Sequence, residues 1–399
     1  MPRRLRELTR LVAALALFAG LLLSTSQAGA YPWMIRHGYK QCATCHLDPT
    51  GAGPLTPYGR ALGEIVLATP WGERGEETKA NEFLWGAVEV PEQLLLGGHV
   101  RYARLTQKVE DAPLTKRNIW MQLDAEAGLM FQHFVASASI GFAPEGALGS
   151  AITRGPENNL ISRTHWLGVM PIPEALLIRA GRMNLPFGIR NVEHTLWART
   201  LTQTAINDDQ QYGAAISIET PLVRGEIMGI AGNLQLRPGE FREQGYSAFV
   251  EWMPSDDVAI GASSLITHRE LDPRRLRETI RHAHGLTWRW HTPYQPLVVL
   301  SEWDYVLEST REEPWRKGIA GYAQADLEPF RGIHFLLTLE AHDVGSDDSV
   351  GASLGSWLSY AWFFAPHADI RLDSIYQSVA TPGGRAAALS WLIQGHLYL

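Results

Sequence analysis

The alternation of apolar and polar residues constrains the fold of this chain most strongly. From about Glu92 onward the sequence has a period of two rather than 3.6, in segments of about ten residues. Ile333, Phe335 and Leu337, for example, alternate with polar residues such as His334 and Thr338. Turn-forming stretches separate these segments, and the pattern is typical of transmembrane β-barrels with an apolar outer face and a polar lumen.

We predict an all-β fold, a transmembrane antiparallel barrel of about 16 strands within residues 85–399. The final residues support it, because Trp391, Ile393 and Leu397 alternate with polar residues up to the chain end. Leu399 stands where a terminal aromatic residue is expected. A soluble propeller or sandwich would also alternate. No blade-length repeat is visible, and 10% aromatic residues favour the membrane barrel.

The alternation also assigns side chains to the two faces of the barrel. In the segment 119–131 it places Met121 and Leu123 outward, and Trp120 on the opposite face. The lumen is predicted to carry carboxylates that keep it polar and attract cations, namely Asp124, Glu126, Glu340, Asp369 and Asp373.

One long segment, residues 181–207, breaks the alternation. Leu196, Trp197 and Leu201 would share one face of a helical turn there. Two interpretations stay open. The segment either folds into the lumen and constricts it, or forms an Ω-loop on the surface.

The first 30 residues predict a secretory signal peptide. Four arginines precede an apolar run over residues 11–23, and Ala28-Gly29-Ala30 is a small-residue cleavage site. Thirteen apolar residues are too few for a spanning helix, which needs about 20. We therefore expect export and cleavage after Ala30.

The composition excludes several function classes. With 45% hydrophobic residues the chain is not disordered, and two cysteines do not make a disulfide scaffold. A net charge of −7 argues against a nucleic-acid partner, which requires a basic face. No nucleophile triad or carboxylate pair can be assigned, so we predict an electron carrier or metal oxidase rather than a hydrolase.

The strongest chemical motif is Cys42-Ala43-Thr44-Cys45-His46, a C-x-x-C-H pattern. This is the attachment pattern of c-type haem: Cys42 and Cys45 bind one haem covalently, and His46 is an axial ligand of its iron. A thioredoxin-like redox pair would need a βαβ context, and a zinc site would need further nearby ligands. These two are the only cysteines of the chain.

The second axial ligand stays open at this point. His37 is our candidate and Met34 the alternative, because both precede Cys42 closely and both residue types ligate haem iron. A histidine from the barrel, such as His99, would also serve. The haem segment spans about residues 31–80 and is too small to shelter a cofactor alone.

An exported chain with this motif near its mature N-terminus and about 16 strands resembles the fused monohaem cytochrome–porins of the bacterial outer membrane, best known from iron oxidisers. The stretch Leu55-Thr56-Pro57-Tyr58-Gly59-Arg60 looks like that family's motif after the haem, and Gly181-Arg182 to Pro186-Phe187-Gly188 looks like a porin motif. The residues before Cys42 depart from the iron-oxidase form, so the electron donor stays open.

The resemblance implies that the haem lies as a plug within the barrel and starts from the periplasmic side. Electrons would pass between an extracellular donor or acceptor, including a metal ion, and a periplasmic cytochrome or another soluble carrier. The alternatives are a passive porin or transporter whose haem segment senses or gates, and a periplasmic haem enzyme on a soluble β scaffold.

Overall fold

The computed structural model describes residues 32–39, 41–71, 79, 81–145, 157–190, 193, 195–207, 209–232, 242–272, 276–310, 315–344, 351–381 and 383–399. The predicted signal peptide, residues 1–30, lies outside the described residues. None of the helices among those residues has the length and hydropathy of a membrane span.

Seventeen β-segments form one antiparallel sheet in the described part of the chain. They are β1 (Leu94–Val109), β2 (Thr115–Met130), β3 (Phe134–Glu145), β4 (Glu157–Ile161), β5 (His165–Ile172), β6 (Leu176–Met183), β7 (Gln211–Glu219), β8 (Val223–Gly232), β9 (Glu243–Trp252), β10 (Val258–Arg269), β11 (Thr279–His291), β12 (Leu297–Thr310), β13 (Arg316–Phe330), β14 (Ile333–Val344), β15 (Ser353–Ala365), β16 (Ala368–Thr381) and β17 (Gly384–Tyr398).

The sheet closes into a barrel of sixteen strand positions. Each strand pairs with its sequence neighbours, and β1 pairs with both β2 and β17. The short segments β4 and β5 follow one another along the same side of β3, so they share one position. Closure leaves no unpaired sheet edge, and the prediction of about 16 antiparallel strands is confirmed.

The two faces of the wall differ as the alternation predicts. Large apolar side chains on the outside are exposed, among them Leu167, Leu286 and Leu358 at 61%, 67% and 63%. An apolar belt of this kind suits lipid and not water. The predicted lumen carboxylates Asp124 and Glu340 are buried.

A β-bulge overturns one of the face assignments. Arg101 pairs with Gln122 and Tyr102 with Trp120, so Met121 is an extra residue between the two pairs. The extra residue reverses the alternation on one side of it. Trp120 is therefore exposed on the outer surface, whereas Met121 lines a cavity in the lumen. The prediction that placed Met121 outward and Trp120 inward was wrong.

The two ends of the barrel have connections of different length. At the end where β1 begins, the connections run from two to five residues: 131–133, 173–175, 220–222, 253–257, 292–296, 331–332 and 366–367. At the opposite end most are longer, and one of them spans residues 184–210. Short turns are typical of the periplasmic end of outer-membrane barrels, and long loops of the extracellular end.

That long segment, residues 184–210, folds into the lumen. It contains helix α3 (Trp197–Thr202), and its described residues bind the wall. Gly188 donates its N–H to Ser263 (2.8 Å), and Trp197 donates its N–H to Glu340 (2.9 Å). The inward interpretation is confirmed, and we name residues 184–210 the inward loop.

The segment that precedes the barrel also lies inside it. Helices α1 (Pro32–Ile35) and α2 (Pro57–Leu62) flank the C-x-x-C-H motif, and a π-helical turn covers Gly63–Leu67. We name the described residues of 32–71 the plug. Gln41 binds the carbonyl of Thr220 (2.8 Å), and Arg331 binds the carbonyl of Ala68 (3.0 Å). The plug therefore lies at the end with the short turns.

Candidate functional site

The motif itself is one tight turn followed by a return of the chain. The amides of Cys45 and His46 both donate to the carbonyl of Cys42, at 3.1 and 2.9 Å. His46 then pairs with Leu55 as an antiparallel bridge, which closes the intervening loop. Cys42 and Cys45 form no disulfide. Burial raises the pKa of the Cys45 thiol to about 12, and the neighbouring Cys42 raises it further.

The motif Leu55 to Arg60 holds this turn in place. Thr56 caps helix α2, because its Oγ1 accepts from the amide of Gly59 (3.0 Å) while donating to the carbonyl of Thr44 (3.2 Å). Gly59 packs directly on the motif: a Cβ there would lie 2.8 Å from the Cβ of Cys45. Arg60 donates to the carbonyl of Leu96 on β1. These contacts explain why the sequence needs Thr, Gly and Arg at these spacings.

Asp48 anchors the motif to the opposite wall. Its carboxylate lies 2.6 Å from Arg179 of β6 and accepts from the indole N–H of Trp166 (3.1 Å) and the amide of Thr50 (2.8 Å). Burial raises the pKa of Asp48, but Arg179 and the Thr50 hydrogen bonds bring it below its usual value. Sequence reasoning missed this anchor, since 131 residues separate Asp48 from Arg179 and no local pattern relates them.

A large cavity lies between the plug and the wall on the side of Cys45. Its empty volume is about 1390 Å³, counting space continuous with solvent. This exceeds the roughly 300–1,000 Å³ of most cofactor pockets. Met34, Cys45 and His46 of the plug line it together with Glu193 of the inward loop. Burial lowers the pKa of His46, which lies against the backbone of Gly53.

The wall contributes polar and aromatic side chains to the same cavity. They come from the neighbouring strands β16, β17, β1 and β2, and they are Asp369, His396, Tyr398, His99, Arg101 and Met121. The cavity therefore contains imidazole, thioether and guanidinium groups on one side and the C-x-x-C-H turn on the other.

Cys42 borders a different and smaller space. Its Sγ lies 3.5 Å from Arg224, beside a cavity of about 410 Å³. Gly51, with φ of +82°, separates this thiol from the large cavity, and a Cβ there would lie 3.4 Å from the Sγ. Because Gly51 has no side chain, a rotation of Cys42 brings its sulfur to the wall of the large cavity.

The two candidates for a second axial ligand lie in different places. The Nε2 of His37 is 3.3 Å from Glu328 of β13, and His37 does not line the large cavity. Met34 is buried in α1 and lines that cavity together with His46. His99, on the wall, lines it as well. The structure thus brings Met34 and His99, but not His37, to the cavity of His46.

Comparisons with known proteins define the class of the fold. No protein-family model and no curated protein sequence matches the chain. In shape, however, the chain is similar to outer-membrane porin barrels, which confirms the barrel architecture.

Three solved structures illustrate the likeness. The in-vitro folded OmpT of Vibrio cholerae gives a TM-score of 0.59 at 10% identity, over 78% of this chain and 100% of that one. An anion-selective porin from Comamonas acidovorans gives 0.57 at 10% identity, over 77% and 99%. The channel DcaP of Acinetobacter baumannii gives 0.54 at 9% identity, over 77% and 97%. At these identities the likeness establishes the fold alone.

Proposed function

We propose that this chain is an outer-membrane electron-transfer protein that carries one covalently bound c-type haem inside a porin-like barrel. The observation that carries the proposal is the C-x-x-C-H turn, with Cys45 and His46 on the wall of a large lumen cavity. When bound, the haem would supply a one-electron iron couple within an otherwise insulating membrane.

The residues present suit such a group. Cys42 and Cys45 would hold it through thioether bonds, and His46 would ligate its iron. Gly51 and Gly53, both at positive φ, keep the plug side of the cavity free of side chains. Arg101 places a positive charge on the cavity wall, as the carboxylates of a porphyrin require.

The position of the plug suits an exchange of electrons with the periplasm. We place the end with the short turns in the periplasm, as in other barrels of this kind. Ile65 and Trp71 of the plug are exposed there, at 56% and 66%. A periplasmic cytochrome or another soluble carrier would meet the plug at that surface. The opposite end would face an extracellular donor or acceptor, including a metal ion.

The second candidate is a passive porin or transporter, which the likeness to porin structures favours. The filled lumen argues against free passage. The plug and the inward loop meet where Asn184 lies 3.4 Å from Thr50, and both segments are bonded to the wall.

The test is to express the full chain with a c-type haem maturation system and purify it in detergent. We expect a red protein that still stains for haem after denaturation. The double variant Cys42→Ala, Cys45→Ala should lose the stain completely, while its heat-modifiable migration shows a folded barrel. Ala43→Ser, at a variable position of the motif, is the matched control and should keep the stain.

Two results decide between the candidates. A colourless wild-type protein that conducts solutes in a planar bilayer would overturn the haem proposal and support the passive porin. A red protein with negligible conductance would support electron transfer.

A further inference from the structure

Four side chains form a chain across the closing seam of the barrel, beside the large cavity. They come from four adjacent strands: Glu126 on β2, His99 on β1, His396 on β17 and Asp369 on β16. The Nδ1 of His396 lies 3.0 Å from Asp369, and its Nε2 lies 3.2 Å from the Nδ1 of His99. The Nε2 of His99 lies 3.7 Å from Glu126.

The two imidazoles meet edge to edge. Their nitrogens are 3.2 Å apart while their ring centroids are 5.4 Å apart, and the ring planes differ by only 16°. This geometry is that of an N–H···N hydrogen bond between two rings rather than of face-to-face stacking.

Counting hydrogens along the chain reveals one free place. An ionised Asp369 only accepts, so the Nδ1 of His396 carries its hydrogen and the Nε2 accepts. The Nδ1 of His99 must then donate, which leaves its Nε2 with a lone pair. That lone pair faces the Oε2 of Glu126, which is buried and has no hydrogen-bond partner. Two acceptors therefore face each other, and one additional proton would join them.

We propose that the Glu126–His99–His396–Asp369 chain is the proton-accepting site that accompanies reduction of the haem. The inference rests on the proposed function, because it needs a redox centre in the adjoining cavity. His99 and His396 line that cavity together with His46. An electron added to a buried centre favours a proton nearby, since the two charges attract strongly away from water.

The charges around the chain leave this place available. Arg101 of β1 acts on both imidazoles, His46 of the plug acts on His99, and the ring of Tyr398 lies 5.1 Å from that of His396. Near Glu126 the other charged groups are already paired, Asp124 with Arg163 and Asp48 with Arg179. The positive Arg101 opposes a proton before reduction, and the added electron offsets that opposition.

The step is balanced as one electron and one proton. The iron takes an electron from the external donor and passes from the ferric to the ferrous state. A proton from water enters between the Nε2 of His99 and the Oε2 of Glu126. On oxidation both leave. A one-electron couple of this kind shifts by about 59 mV for each tenfold change in proton activity.

The experiment measures the reduction potential of the haem-loaded full chain by spectroelectrochemistry across pH. The wild-type potential should fall with rising pH, by up to about 59 mV per unit. Glu126→Gln should flatten this slope, because its amide donates permanently to His99. Glu340→Gln, a matched change at another buried lumen carboxylate held by Trp197 and Trp357, should keep it.

Each other outcome overturns the inference. A wild-type potential that does not vary with pH, or a slope unchanged in Glu126→Gln, removes the proton role. If His99→Gln alters the axial-ligand bands of the visible spectrum, the pair is an iron ligand instead. A protein without haem would show itself as colourless and would overturn the proposed function as well. Should Glu126→Gln fail to fold, His396→Gln breaks the same chain and serves in its place.

Discussion

The two sides of the lumen differ in how they treat charge. Along β6 to β11 the lumen is filled by buried ion pairs, such as Arg179 with Glu226 (2.8 Å) and Arg224 with Glu251 (2.6 Å). Along β16, β17, β1 and β2 it holds a cavity lined by neutral and weakly paired groups, such as His99 and His396. We name these the filled side and the open side.

The difference shows how one barrel both anchors its contents and leaves room for a cofactor. Buried charges are tolerated only where partners satisfy them, so each arginine of the filled side requires its carboxylate. Asp48 extends this network into the plug through Arg179. The open side has no comparable constraint, and its polar groups face space rather than partners.

The largest expected effect is on stability, from Glu251→Ala on the filled side. Glu251 is fully buried and binds both Arg224 and Arg289, so its loss leaves two buried cations. We expect the free energy of unfolding to fall by about 3–5 kcal/mol. Urea unfolding in lipid vesicles, followed by tryptophan fluorescence, measures it.

The matched change on the open side is Asp369→Asn. Its carboxylate is partly exposed to the cavity and accepts one hydrogen bond from His396, so water can replace that contact. We expect a loss of about 1 kcal/mol. Equal losses for the two variants would contradict the distinction between the sides.

A somewhat smaller effect is expected from releasing the inward loop. Arg199 of α3 pairs with the buried Glu302 of β12 and also donates to Thr204 (2.9 Å). In Arg199→Ala the carboxylate keeps the amide of Ile189 (2.8 Å), so we expect about 3 kcal/mol, the lower end for a broken buried pair.

The clearer measurement for Arg199→Ala is conductance in a planar bilayer, which should rise as the loop detaches. His268→Ala, an exposed position on β10, is the control and should leave conductance unchanged. An unaltered conductance in Arg199→Ala would show that the plug alone closes the lumen.

The smallest expected effect is an acid sensitivity at the junction of plug and barrel. His367 lies buried in the turn 366–367 against Gly63, and burial together with Arg60 lowers its pKa to about 4. The unfolded chain binds a proton below about pH 6.5, whereas the folded protein does not. Stability is therefore complete above that pH and falls as the pH drops toward 4, by about 2 kcal/mol at pH 5.

Unfolding midpoints at pH 7 and pH 5 measure this loss. His367→Asn should reduce the difference, since asparagine tolerates the positive φ of 62° at this position and does not titrate. A wild-type midpoint that is the same at both pH values would contradict the assignment.

The sequence alone predicted the barrel well because its information is local. Alternation within each segment specifies which residues face out, and this held for Leu337 as it did for Asp124. It failed at Met121, because a bulge inserts one residue and no residue type in that stretch marks it.

The candidate site was predictable only in part. The C-x-x-C-H motif is contiguous and therefore visible, and its spacing carries the chemistry. The cavity wall is not visible, because His99 and His396 are separated by 297 positions and meet only when the barrel closes. The same holds for Asp48 and Arg179, whose contact depends on where the plug lies in the lumen.

The closure between β1 and β17 has a consequence for biogenesis. Cys42 and Cys45 are 3% and 8% exposed, enclosed by strands from the two ends of the barrel sequence. An enzyme that ligates porphyrin to these sulfurs has no access to them once the first and last strands have zipped together. Ligation must therefore come earlier, on the newly exported polypeptide, and the outer-membrane insertion machinery would receive a precursor that is already pigmented.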